Sequence, residues 1–283
     1  MAMLQLGSKA HKDLFCHSFL DSYQDYEPAN LPWPDLDATD LAKLQGIPFW
    51  QEALSTERNA GVMVSTWADH IDDPLIKTAI ALQGEEEYRH ARLLEFLVNH
   101  YDIPVEIPAI NPLPHNMETT FIDFGFTECL DSFFAFGMFG IARQAHYLPE
   151  TMFTIFDPLL NEEARHIVFF VNWLTYEELQ KGHPQYLRGF KTLWHYGRAL
   201  RELVRAFGGA TDNGEGFTAT DASHFMDDLT ADLFFKTCLA ENAKRMSQFD
   251  ARLLQPMLLP RLSQLALSTL SLLPQKKASS LPA

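Results

Sequence analysis

The chain has 283 residues, of which 47% are hydrophobic and 21% charged, and its formal net charge is −15 at neutral pH. That balance describes a globular chain long enough for one sizeable core and excludes a disordered one. Its acidity argues against nucleic acid or an anionic membrane surface as the main partner, because both attract basic patches.

The three cysteines, Cys16, Cys129 and Cys238, have no Cys-x-x-Cys spacing and do not form a disulfide framework. The N-terminal residues lack the apolar run of a signal peptide, and no run reaches the length needed to span a bilayer. A soluble, cytoplasmic protein without a membrane partner is therefore expected.

In chain order, residues 1–45 read as an N-terminal arm. An amphipathic segment carrying Leu14, Phe15, Phe19 and Leu20 is followed by a Pro/Asp-rich stretch over 27–37, then by a brief helix capped by Thr39 or Asp40 that ends near Gly46. Residues 46–182 read as four long helices. The first runs over 48–71 with Pro48 in its first turn and carries Glu57. Asp72, Asp73 and Pro74 form a stop, a cap and a restart, so the second helix runs to about residue 101. Asp72 lies midway between Glu57 and Glu87, so a tight antiparallel hairpin places those two carboxylates level.

Residues 102–116 hold four prolines and cannot be helix interior, but their length suits a long crossover. A third helix is expected over 117–146 and a fourth over 158–182, with a break around Pro149 and Pro158 between them. Residues 183–275 read as a C-terminal helical extension: a fifth helix to about residue 207, a Gly-rich connection over 208–216, one or two helices over 221–254, and a leucine-rich helix over 258–273. That last helix is expected to pack on the bundle or to make a homodimer contact. Residues 276–283 read as a disordered tail. No segment alternates cleanly with period two, so the fold class is all-α.

One pentapeptide occurs twice, as Glu86-Glu87-Tyr88-Arg89-His90 and as Glu162-Glu163-Ala164-Arg165-His166. Residues three apart share a helix face, so each copy presents a carboxylate beside an imidazole. A single Glu-x-x-His is weak, since a chain of this composition supplies on the order of one by chance; the doubled longer motif is far more specific. Each copy also follows another glutamate in an apolar helical stretch, Glu57 and Glu128. Four carboxylates and two imidazoles make a two-metal donor set. The bland alternative is six surface charges on amphipathic helices. Apolar neighbours such as Val62, Val64, Leu93, Leu94, Phe96, Phe126, Val168 and Phe169 oppose it, because a buried glutamate demands a partner. Hard oxygen donors with imidazole nitrogens suit iron or manganese, and the lack of paired thiolates disfavours structural zinc or an iron–sulfur cluster.

The order Glu57, Glu87/His90, Glu128, Glu163/His166 resembles the ferritin-like di-iron carboxylate superfamily, whose bundle has one long crossover and takes a Glu from each of two helices and a Glu-x-x-His from each of the others. The resemblance covers about residues 45–182, and the doubled Glu-Glu-x-Arg-His is similar to the signature of bacterial multicomponent monooxygenase hydroxylase subunits. It implies a ferritin-like four-helix bundle with its crossover between the second and third helices, binding two iron ions, or manganese with iron. It also implies a non-haem di-iron oxidoreductase that activates O2 to hydroxylate, desaturate, N-oxygenate or cleave a small, partly apolar organic substrate. By the same resemblance, Glu86 and Glu162 each accept a hydrogen bond from the histidine of the other copy. Arg89 and Arg165 pair with those or nearby carboxylates, and Asp131 is either a further acceptor or a solvated helix position.

A third helix crowded with phenylalanine and interrupted by Gly125, Gly137 and Gly140 is either plain core or the wall of a substrate cavity formed by Phe124, Gly125 and Phe133. Those glycines serve close packing, a bend or an opening beside the metals. The chain shows no Gly-x-Gly-x-x-Gly, so turnover needs a separate donor: a ferredoxin, a flavoprotein reductase or a small reductant. The other function class is an iron-handling protein, either a ferroxidase or storage subunit or a rubrerythrin-like peroxide scavenger.

Overall fold

The computed structural model describes residues 4–208, 224–226 and 228–272. The expected connection over 209–216, the beginning of the segment at 221 and the tail over 276–283 lie outside the described residues. Among the described residues all regular structure is helical, in nine α-helices and one 3-10 turn, with no strand.

Caps set most helix starts. Helix α1 (Lys9–Asp21) begins at Ser8, whose side chain accepts from the His11 N–H. A 3-10 turn follows at Pro28–Asn30. Helix α2 (Ala38–Gln45) is capped by Asp37, two or three residues before the expected Thr39 or Asp40, and Asp37 accepts from both of their N–H groups. Helix α3 (Trp50–Ala68) starts just beyond Pro48 and not with it in the first turn. Helix α4 (Pro74–His100) has the Asp73 cap and Pro74 start that the sequence signals.

Helix α5 (Met117–Gln144) is capped by Asn116. Helix α6 (Glu150–Gln180) differs from expectation, because it begins eight residues before Pro158 and contains that proline. An internal proline forfeits a backbone hydrogen bond and strains its turn, at a cost of about 3 kcal/mol. Here Phe153, Ile155, Phe156, Leu159 and Leu160 are all buried around it, and burial of each such side chain contributes about 1.5–3 kcal/mol. Packing therefore outweighs the local break. Helices α7 (Gln185–Gly208), α8 (Ala231–Met246) and α9 (Leu258–Leu272) complete the described chain.

Helix α3 packs along α4, α4 on α6, α6 on α5, and α5 back on α3, so these four close a ring around one interior. The 102–116 segment crosses outside this ring along α3. Gln51 exchanges two hydrogen bonds with the Glu106 backbone, and the Asn111 N–H donates to the Asn59 side chain. Helix α1 covers α4 and α6, while α7 and α8 cover the outer side of α5. Helix α5 is accordingly apolar all round, as a helix buried on several sides must be. Contrary to the sequence reading, it is long and apolar enough by composition to cross a membrane; 72% of that window is buried inside the protein.

The glycines of α5 serve close packing and not an opening beside the metals. A Cβ at Gly137 would stand 2.1 Å from Cys238 Sγ, and one at Gly140 would meet Glu241 and Thr237, all on α8. Across the α3–α4 hairpin, a Cβ at Gly84 would lie 2.3 Å from Ser65 Oγ and 2.9 Å from the Ser65 backbone nitrogen. Gly84→Ala must therefore push α3 away from α4 just before the first pentapeptide. Overpacking of this kind costs about 1–3 kcal/mol, so the melting temperature should fall by several degrees; an unchanged transition would show that the hairpin does not depend on this approach.

Candidate metal centre

Helical spacing puts Glu87 with His90 on one face of α4 and Glu163 with His166 on one face of α6, and the ring of helices turns both faces inward. His90 and Glu86 are fully buried, and Glu87, His166, Glu162 and Glu163 are each no more than 7% exposed. His90 Nδ1 lies 3.0 Å from Glu163 Oε1, 3.4 Å from Glu57 Oε2 and 3.6 Å from Glu87 Oε2. His166 Nδ1 lies 3.2 Å from Glu87 Oε1 and 3.7 Å from Glu163 Oε2. Glu87 and Glu163 thus each turn one oxygen toward each imidazole, and Glu57 approaches from the His90 side.

The other ring nitrogens fix the chemistry. His90 Nε2 is 2.9 Å from Glu162 Oε2, and His166 Nε2 is 2.9 Å from Glu86 Oε2. A carboxylate accepts only, so each Nε2 carries the proton and donates, which leaves a lone pair on Nδ1 of the neutral ring. Both Nδ1 atoms and Glu163 Oε2 are buried without a well-directed hydrogen bond. In that neutral form the lone pairs face carboxylate oxygens across 3–4 Å, a repulsion relieved by a metal ion between them or by a proton on Nδ1. Glu57, Glu87, His90 and Glu163 form a group that can hold a metal ion, with their ligand atoms within 4.8 Å of one another. His166 adjoins this group through Glu87 and Glu163.

Glu128, on α5, lies near Glu163 and Glu87. Burial, together with the charges of Glu163 and Glu87, pushes its carboxyl well above the ordinary range. Burial likewise raises Glu57 to about 8, against the opposing pull of His90. Burial would also raise Glu87, but His166 and His90 outweigh it and hold that carboxyl at about 2. The same balance lowers Glu163. Burial disfavours a charge on either imidazole, yet the surrounding carboxylates raise both His90 and His166 well above their ordinary value.

Around this cluster lies a crossed arrangement. Arg89 Nη2 donates to Glu162 at 2.6 Å, and Arg165 Nη1 donates to Glu86 at 2.7 Å. Each pentapeptide therefore sends both its histidine and its arginine to the leading glutamate of the other copy. The N-terminal arm closes the outside. The Tyr26 hydroxyl donates to Glu162 at 3.1 Å, and Arg89 donates to the Tyr23 hydroxyl at 3.1 Å. Arg165 donates to Ser22 Oγ and to the Phe19 carbonyl, with its guanidinium 4.5 Å from the Phe19 ring. Tyr23, Tyr26 and Ser22 escaped the sequence reading, since a separation of 136 residues between Tyr26 and Glu162 leaves no local signal.

Beside the carboxylates opens a cavity walled by Trp50, Ala53, Leu94, Ala135, Phe139, Phe156 and Leu160, with Glu57, Glu128 and Glu163 at one side. Asp131 lines it as well, where burial, then the charges of Glu163 and Glu52, raises its carboxyl to about 7. No histidine bonds to Asp131 among the described residues. The expected trio of pocket residues lies elsewhere. Phe124 borders a groove on the outer side with Asn59 and Leu113, Phe133 is core packed against Phe134, and Gly125 makes room for the Phe170 ring, which a Cβ would meet at 2.2 Å. Phe124 and Gly125 share the face of Glu128 but lie one turn toward the helix N-terminus, whereas the cavity runs the other way through Asp131, Ser132, Ala135 and Phe139; Phe133, five residues on from Glu128, leaves that face.

Comparison with known protein families, curated proteins and solved structures returned no match.

Two outcomes follow from the geometry. Glu86→Gln or Glu162→Gln replaces the charged acceptor that orients an imidazole by a neutral amide, and metal affinity should fall about 10–100-fold in a metal titration; unchanged affinity would make these glutamates bystanders. For the metal-free protein, the raised histidines contribute stability when protonated, and it is lost as pH climbs through their folded values. The raised Glu57 and Glu128 ionise readily only when unfolded, so they also weaken the fold as pH rises, Glu57 up to about 8. The lowered Glu87 and Glu163 act in the opposite sense only in acid. The melting temperature of metal-free protein should therefore drop as pH rises above about 6, and the metal-loaded protein should lack that slope.

Proposed function

We propose that this chain is a non-haem di-iron oxidoreductase, built on a ferritin-like four-helix bundle formed by α3 to α6, that uses dioxygen to oxidise a small, partly apolar organic molecule. The observation that carries the reading is the doubled donor set: two buried imidazole Nδ1 atoms face the same two carboxylates, Glu87 and Glu163. Glu57 and His90 would complete one ion's ligands, Glu128 and His166 the other's. Charge supports two divalent ions. The six carboxylates of Glu57, Glu86, Glu87, Glu128, Glu162 and Glu163 set against the guanidiniums of Arg89 and Arg165 leave four negative charges, the amount two divalent cations cancel. Oxygen and imidazole donors suit iron, or manganese with iron.

When bound, the metal pair supplies the electrons that reduce dioxygen. The chain's own residues do the rest. Glu86 and Glu162 keep the protons of His166 and His90 on Nε2, so that both Nδ1 atoms stay available as ligands. Arg89 and Arg165 donate to those two glutamates and fix their carboxylates in place. Phe19, Ser22, Tyr23 and Tyr26 cover the arginines, and the apolar cavity keeps bulk water from the side where Glu57, Glu128 and Glu163 face it. A ferredoxin, a flavoprotein reductase or a small reductant would supply further electrons. The cavity wall also favours an oxidase of organic molecules over a ferroxidase or rubrerythrin-like scavenger, since a hydrated iron ion needs a polar entry and Trp50, Ala53, Ala135, Phe139 and Phe156 offer none.

The test is metal analysis of the purified protein, followed by anaerobic Fe(II) loading and an optical spectrum on mixing with O2. About two irons per chain and a transient visible absorption are expected, and Glu87→Ala and His166→Ala should each lose metal while keeping their helical content. Normal metal content in both variants, or no stoichiometric metal in the parent, overturns the reading.

A further inference from the structure

The cavity beside the carboxylates has a direction. On α5, Asp131 stands about 4.5 Å along the helix from Glu128, Ala135 about 10 Å and Phe139 about 16 Å, at 1.5 Å per residue. Helix α6 recedes in step through Leu160 and Phe156, and α3 through Ala53 and Trp50; all of these line one cavity. Beyond them, Trp50, Phe139 and Phe156 also border a second, wholly apolar cavity toward Met152 and Tyr147. The two share Trp50, Phe139 and Phe156 as wall and lie in line from the carboxylate end along the helix axes, and we take them together as one narrow channel.

Asp131 is the one acidic side chain in this channel that the metal centre leaves unused. No described residue donates a hydrogen bond to it, and its polar companions on the wall, Thr56 and Ser132, carry no charge. With the four surplus charges of the cluster cancelled by metal, Asp131 is the negative charge of the cavity that remains uncompensated. A carboxylate in an apolar wall is satisfied by a cation that brings its own hydrogen-bond donors.

We propose that this channel binds a primary aliphatic amine, with the ammonium group on Asp131, one helical turn from Glu128, and the alkyl tail running past Ala135 toward Phe139 and Phe156. A fatty acid of the same length is disfavoured, because its head group would meet Asp131 and the glutamates with like charge. The inference rests on the di-metal reading, because it is the metal that cancels the charge of Glu57, Glu128 and Glu163 and leaves the selection to Asp131. Asp131 acts here as the residue that selects and orients the substrate.

Titration calorimetry under argon with octylamine, 1-octanol and octanoate tests it on the protein as purified, its metal content measured alongside. Octylamine should bind at least tenfold more tightly than octanoate, with octanol between them. Asp131→Asn should remove that preference with metal content and melting temperature unchanged. Ala135→Phe, which narrows the channel without touching its charge, should weaken octylamine and octanol together, and it keeps the proposal testable if Asp131→Asn fails to fold. Octanoate binding as tightly as octylamine, or an amine preference that survives in Asp131→Asn, overturns the proposal. A metal-replete, O2-reactive protein without the preference defeats this inference alone; a parent protein without stoichiometric metal defeats the di-iron reading, whatever it binds.

Discussion

Four glutamates buried in the middle of a helical protein, Glu86, Glu87, Glu162 and Glu163, with Glu57 and Glu128 beside them and two arginines among them, constitute the constraint on which the rest of this structure depends. Burying an ionised carboxylate without a partner costs several kcal/mol, so the fold has to bring compensating groups from distant parts of the chain. It does so by crossing. Arg89 and His90 of the first pentapeptide reach Glu162 of the second, and Arg165 and His166 reach Glu86. Neither half satisfies its own glutamate alone, which ties α4 to α6 through charge as well as through packing.

The same constraint explains why the N-terminal segment is part of the centre. The two guanidiniums emerge on the outer side of α4 and α6, where water would weaken their hold on Glu86 and Glu162. Helix α1 and the residues after it cover them: Tyr26 stacks 4.3 Å from the Arg89 guanidinium and also donates to Glu162, while Phe19 and Ser22 cover Arg165. The layers proceed outward from acceptor lone pairs to oriented imidazoles, to ion-paired glutamates and to an aromatic lid.

On the opposite side, the C-terminal helices complete the core and are no mere appendage. Phe126 packs edge-on against Tyr196 at 4.6 Å and stacks on His195 at 5.2 Å, and α8 seats Cys238 against Gly137. Burial on that side frees the inner face of α5 for a functional stripe. Glu128, Asp131, Ala135 and Phe139 form that stripe, and it faces the cavity.

The sequence by itself determined the helical class, the hairpin around Asp73 and Pro74, and the six inward donors. These are local matters, of i to i+3 spacing, caps and proline chemistry, written within a few residues of one another. The doubled pentapeptide also exposed its own leading glutamates and arginines. Only the tertiary structure decided which histidine meets which glutamate, that Tyr26 lies against Glu162, that Pro158 sits inside α6, and that the cavity follows Ala135 and Phe139 and leaves Phe124, Gly125 and Phe133 outside it. Each of those depends on contacts between residues far apart in the chain, or on packing strong enough to override a local preference; a linear pattern carries neither.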